Sequence, residues 1–566
     1  MRPIALPLAL LGLMAIGCAR QSEHHARHDR ETTAGRASLS IRPEKKPGGD
    51  AGKLSELHHP VTTTSEAAQR HFDNGVTLIW AFNHDEAVRS FEKALAADPN
   101  LAMAHWGIAL AIGPNYNLDV DAAREKRAHE EIQKARSKAE HGATQVEKDY
   151  IATLSRRFSG AENPDLKKLA QDYAVAAGEL ARKYPDDLHA ATLAAEARMV
   201  LKPWALYTKD NQPVEGTQEI VAMIESVLER DPDHVGANHL YIHAVEASKT
   251  PERALEAAAR LPGLAPECGH LVHMPSHIYS LVGDHESAAT TNEAAIDVDR
   301  EYFAKHPEGK GGFYEMMYYP HNIHFAAYAH AYSGSYADTQ KWMKDLYQHT
   351  APHVPHMPMM EGFTVVPAQL EVKFGRWDDI LKWQSPGEKE MPLTTAFYHF
   401  ARGMAFADKG DFAQAASERD KMLAIKAKQP AETMIGMLNK AHHVLDIAHR
   451  HLDAKIAAEQ KQWDVAEKDL RQAVALEHDL VYMEPPDWLI PNREALGGVL
   501  LRKGDAKGAE KVFREHLDKQ PRNPRGLFGL WKSLEAQGKT HDAASVKRQF
   551  DKAWRNADVK LTVEDL

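Results

Sequence analysis

The stretch NHDEAVRSFEKALAADPN, residues 83–100, carries small residues at Ala87 and Ala94, an aromatic between them at Phe91, and a stop at Pro99. Counted from Gly75, these four fall at offsets of 12, 16, 19 and 24. The same frame recurs near the other end of the chain as Gly497, Gly504, Ala509, Phe513 and Pro521, and again from Pro524 through Gly538 and Ala543. Weaker copies lie between them, at Gly283 to Ala288, Gly334 to Thr339, Gly375 to Ile380, Gly410 to Ala415, and Trp463 to Ala466. Small residues at these places let paired helices approach closely, and the aromatic or Leu positions fill the space between them. Period-two runs rich in Val, Ile and Thr are close to absent, so no β-sheet domain is expected.

This spacing resembles the tetratricopeptide repeat, a helix-turn-helix unit of about 34 residues, and the resemblance covers roughly Thr64 to Trp554. It implies an all-α solenoid of stacked hairpins with a concave groove, because one hairpin cannot bury its apolar face alone. A chain of 566 residues with 43% hydrophobic content can form such a continuous body. The expected organisation is a signal peptide at 1–17, a flexible polar tether at 18–62, an N-terminal array at 63–384 and a C-terminal array at 385–566.

The middle repeats of the first array hold the chemistry. Units beginning at Val235, Gly269 and Pro320 contribute His239 and His243, then His270, His273 and His277, then His321 and His324. The second, fifth and ninth places of a helix share one face, and seven of the nine such places in these units are histidine. In tetratricopeptide repeats those places line the concave groove, so the resemblance implies one shared pocket. Core positions are filled separately, by Tyr241, Ile242, Val245, Val272, Tyr279 and Ile323.

Three chemistries fit such a face. Imidazoles at i and i+4, as in His239/His243 and His273/His277, reach one transition-metal ion from a single helix while a neighbouring helix supplies a third ligand. Seven histidines exceed one mononuclear site, so two ions, or one ion with supporting histidines, fit better. Zinc, iron and copper all remain open. Glu246 and Glu196 are the candidate carboxylate ligands or general bases, and metal-assisted hydrolysis or oxidation is the reaction class if the site turns over. The second chemistry is metal-free acid-base work or anion binding. The third is a polar groove holding a peptide or another cell-envelope protein. Pro275 either kinks the second unit's helix or starts it; in the latter case only His277 of that unit keeps the shared face.

Further features frame the site. The loop APHVPHMPMMEGF, residues 351–363, is rich in His and Met, a mixture that suits copper or merely packs between helices. GPNYN at 113–117 and YMEPPDWLIPNR at 482–493 offer Tyr482, Glu484, Trp488 and Arg493 as groove-lining residues or simply as connections between repeats. There is no phosphate-binding loop, dinucleotide fingerprint, CxxC pair, GxSxG elbow or HExxH motif. A net charge of −11 and pI near 6.3 give no basic stripe for nucleic acid.

The N-terminus suggests a compartment. Arg2 precedes an apolar run from Ile4 to Ile16, too short to span a bilayer, which ends Ala15-Ile16-Gly17-Cys18. This resembles a bacterial lipobox, although Ala15 stands where Leu is usual. The resemblance implies lipidation at Cys18 and an exported protein anchored to a bacterial membrane, facing the periplasm. The other cysteine, Cys268, leaves no intramolecular disulfide once Cys18 is used; it is a buried small residue or a further metal ligand.

Overall fold

The computed structural model describes residues 52–566; Cys18, the signal segment and most of the tether lie outside them. Helix Glu66–Trp80 turns at residues 81–83 into helix His84–Ala97, which packs back on it, and helix Ala102–Ile112 follows against the second. The turn is written locally. The Asn83 side chain accepts from the Glu86 N–H, and Asp284, Asp411 and Asp505 cap later helices in the same way. Gly283, Gly410 and Gly504 precede those caps with φ of 73°, 80° and 93°, a region costing other residues about 1–2 kcal/mol.

The small places of the frame are seats for buried rings. A Cβ added to Gly75 or to Gly107 would lie 2.5 Å from the Phe91 ring. Gly497 and Gly529 flank Phe513 likewise, at 2.3 and 2.1 Å. One phenylalanine thus locks its own hairpin to the next, which is the close approach the repeat frame requires. The copy at Gly375 is truncated, since its second helix is only Trp377–Ile380. Among the described residues, strand is limited to the two-residue pair Met434–Ile435 and Asn439–Lys440, so the fold is an all-α helical repeat. No helix of the described residues is long and apolar enough to cross a membrane.

Two sets of contacts bear on the expected organisation. The segment read as tether does not remain free up to residue 62: Leu54 N–H donates to Asn74, His58 pairs with Asp73 at 2.9 Å, and Thr62 N–H donates to Glu147 at 2.7 Å. Its polar side chains have partners on the first hairpins, which composition does not reveal. The division after residue 384 is crossed by buried contacts. Leu489 N–H donates to Gln369, and Glu494 pairs with Arg525 at 2.8 Å and Lys373 at 3.4 Å. Farther out, Arg522 donates to the Val282 carbonyl and Tyr336 N–H to Asp558. The last hairpins therefore return to the middle of the array.

Candidate metal centre

Helix Val235–Val245 starts where the His234 side chain accepts from the Ala237 N–H, and all of its residues are buried. The open concave face expected for the histidines is thus closed over. Burial on both sides explains why periodicity could not tell a groove from an interior: His239, His243, His270, His273 and His277 are at most 3% exposed. The next helix is Gly269–His273, followed through Met274 by Pro275–Leu281. Met274 keeps right-handed helical angles, so Pro275 kinks the path instead of ending it, and His273 and His277 stay on one face.

Gly269 is required at the start of that helix, because a Cβ would lie 1.9 Å from Asp299 Oδ1. Asp299 accepts from Tyr314 Oη and Asn322 Nδ2, both at 2.8 Å, and Tyr314 Oη in turn accepts from His270 N–H. Burial pushes the Asp299 carboxyl up to about 7. This buried knot ties the second unit to helix Tyr319–Ser333, which carries His321 and His324.

The histidines form two clusters of the same build. Ring nitrogens of His239, His243 and His270 lie within 4.8 Å of one another, and so do those of His273, His277 and His321. Each cluster takes an i, i+4 pair from one repeat and a third imidazole from farther along the chain. His239 Nε2 faces His243 Nε2 at 3.1 Å, and His273 Nε2 faces His277 Nε2 at 2.9 Å. The four opposite nitrogens all meet oxygens. His239 Nδ1–H donates to the Trp80 carbonyl at 2.5 Å, His273 Nδ1–H to Asn292 Oδ1 at 2.6 Å, and His243 and His277 to the two oxygens of Glu246 at 2.9 and 2.6 Å.

Those acceptors decide the tautomers. Each imidazole keeps its proton on Nδ1, so within each pair two Nε2 lone pairs point at one another with no proton between them. Burial, together with the neighbouring imidazoles, pushes His239, His270, His273 and His321 well below the ordinary histidine range. Two nitrogens bound to one tetrahedral ion at about 2.0–2.1 Å are separated by roughly 3.3 Å, close to both observed spacings. A carboxylate or carbonyl on the far nitrogen is the usual support of a metal-bound imidazole. Both clusters could hold a metal ion.

Glu246, expected as ligand or base, is hydrogen-bonded to one histidine of each cluster. Burial opposes its charge, but His277 and His243 hold its carboxyl at about 2. Glu196, the other carboxylate expected at the site, belongs to neither cluster; burial raises it, and Arg157 is the charge that acts on it. Neither buried ring nitrogen of His270 has a hydrogen-bond partner. His324 stands apart from the six, packed edge-on against Phe363, with Nε2 buried and unpartnered. Cys268 is a buried thiol, pushed up to about 12 by burial, and joins neither cluster.

Several residues escaped sequence reasoning. Phe82, at φ 54°, packs its ring over His239 at 4.5 Å and stacks on His270 at 5.3 Å, closing the first cluster. Trp80 contributes a carbonyl left free at its helix end. Asn292 carried a signal, an amide on the buried face of helix His285–Lys305. Tyr116 and Trp204 pack on His243 at 5.4 and 5.7 Å. Of the residues that the sequence offered as groove-lining, Glu484, with Met483 beside it, reaches a cavity of about 90 Å³ that His243, His270, His277 and His321 also line. Burial and the charge of Glu246 push the Glu484 carboxyl up to about 8, and Tyr482 donates to it. Trp488 packs in a separate core with Phe400 and His451.

No protein-family model and no curated protein matches this chain. Among solved structures, human IFIT1, as a dimer with m7Gppp-AAAA, aligns over 88% of this chain and 92% of its own at 12% identity and a TM-score of 0.31. Yeast Tom70 aligns over 85% and 90%, also at 12% identity, with a TM-score of 0.27.

Proposed function

We propose that the protein is a metalloprotein whose two three-histidine clusters hold a pair of transition-metal ions. The observation that carries this reading is the inward-facing Nε2 pairs, each with its Nδ1 protons committed to oxygen acceptors. Three protein ligands leave a position open on each ion, the pattern of reactive rather than purely structural sites. The cavity beside both clusters gives a small molecule access to those positions, and Glu484 supplies a carboxyl on the cavity wall for proton movement. Metal-assisted oxidation or hydrolysis of a molecule held there is the activity this arrangement supports. A peptide-binding groove would present its histidines to solvent, whereas five of these seven are almost wholly buried.

Elemental analysis of protein purified without a polyhistidine tag tests the reading. Two ions of zinc, copper or iron per chain are expected after metal supply, falling to one in His239→Asn and in His273→Asn and to none in the double variant. Retained helicity in that variant locates the loss at the clusters. A wild-type protein that stays metal-free after supply of each ion overturns the reading.

We further propose that the protein is exported and lipid-anchored through Cys18. Cys18→Ala is expected to move it from the membrane fraction to the soluble one, since stable anchoring needs the attached acyl chains. Unchanged fractionation would reject the anchor.

A further inference from the structure

The cavity beside the clusters has an unusual wall. Met317, Met359, Met437 and Met483 line it, and among the described residues no Leu, Ile, Val or Ala does. These methionines arrive from four separate segments: the turn Tyr314–Tyr318, the loop at 351–363, the β-hairpin tip, and the connection before Trp488. The chain holds only 18 methionines in 566 residues, and any large aliphatic side chain would satisfy apolar packing at these places. Repeated delivery of a thioether therefore asks for a reason other than volume.

The wall also has a direction. Met359 is 37% exposed, Met317 is 8% exposed, and His321 and His324 lie on the same lining. The Nε2 of His324 is buried without a partner. Thioethers are neutral, soft ligands that favour Cu(I) over zinc. The destination matches: the pairs His239/His243 and His273/His277 offer imidazole nitrogens, and among the described residues Glu246 is the single carboxylate hydrogen-bonded to them. Such a set, buried in protein, balances univalent ions better than divalent ones.

We propose that this cavity is the entry route by which Cu(I) passes from the surface at Met359 to the histidine centre, the four thioethers serving as transient ligands and His324 as an intermediate nitrogen. The proposal rests on the reading that the clusters bind metal. It adds the identity of the ion and the path.

The test measures anaerobic uptake by metal-free protein of Cu(I) presented on a weak chelator, with Ag(I) as a redox-inert probe and Zn(II) as comparison. Met→Leu exchange nearly conserves volume, so the variant Met317→Leu/Met359→Leu/Met437→Leu/Met483→Leu is expected to remain folded. Its Cu(I) and Ag(I) uptake should slow on the order of tenfold, with zinc uptake and final copper content unchanged. His324→Gln should slow Cu(I) in the same sense. Met359→Leu alone, at the surface, carries a smaller version of the prediction should the fourfold variant lose helicity. Equal Cu(I) uptake in wild type and variants overturns the route while leaving the centre standing. A wild-type protein that takes up no metal overturns both.

Discussion

Glu246→Gln is expected to lower the metal affinity of one cluster by about 10–100-fold, the usual cost of losing a support behind a metal-bound histidine. A glutamine has one acceptor oxygen where the carboxylate has two. It can take the Nδ1 proton of His243 or of His277, but its amide N–H groups then confront the other ring. That ring is driven to the opposite tautomer, its Nε2 becomes protonated, and one ligand is lost. Titration against a chelator should show two tightly held ions in wild type and one in the variant. Glu246→Asp keeps the charge but shortens the reach, so it should fall between them. Two ions retained at wild-type affinity in Glu246→Gln would show that the carboxylate does not set the tautomers.

Phe91→Ala is expected to destabilise the N-terminal hairpins by roughly 3–5 kcal/mol, the cost of emptying a fully buried phenylalanine site. The ring fills the contact between Gly75 and Gly107, and no side chain grows from either glycine to refill it. The reverse change, Gly107→Ala, places a methyl group 2.5 Å from the ring and should cost about 1–3 kcal/mol through overpacking. Urea unfolding followed by circular dichroism measures both. Phe91→Ala within 1 kcal/mol of wild type would mean that this ring does not hold the hairpins together.

The repeat frame was legible because it is local: Gly75, Ala87, Phe91 and Pro99 each state their role through size or backbone freedom within a few residues. The histidine faces were legible for the same reason, as helical spacing places His239 over His243 and His273 over His277. What could not be read was the closure. Phe82, Trp80 and Asn292 reach the centre through tertiary contacts, and nothing near them in sequence marks the approach, whereas Glu484 lay in a segment already offered as groove-lining. Glu196, offered as the other candidate carboxylate, belongs to neither cluster, and Arg157 is the charge that acts on it. Spacing likewise placed Glu246 beside His243, but its hydrogen bonds to both His243 and His277 are a property of the folded geometry.

The two clusters have the same construction, displaced by one unit along the array. Their separation is therefore a register of the pitch at which neighbouring units stack, with Glu246 clamping one ring from each. Any bending or untwisting of the superhelix at this point must stretch that clamp. Curvature of the protein and spacing of its two histidine clusters become a single mechanical coordinate, and a load on either side of this point is felt in the distance between them.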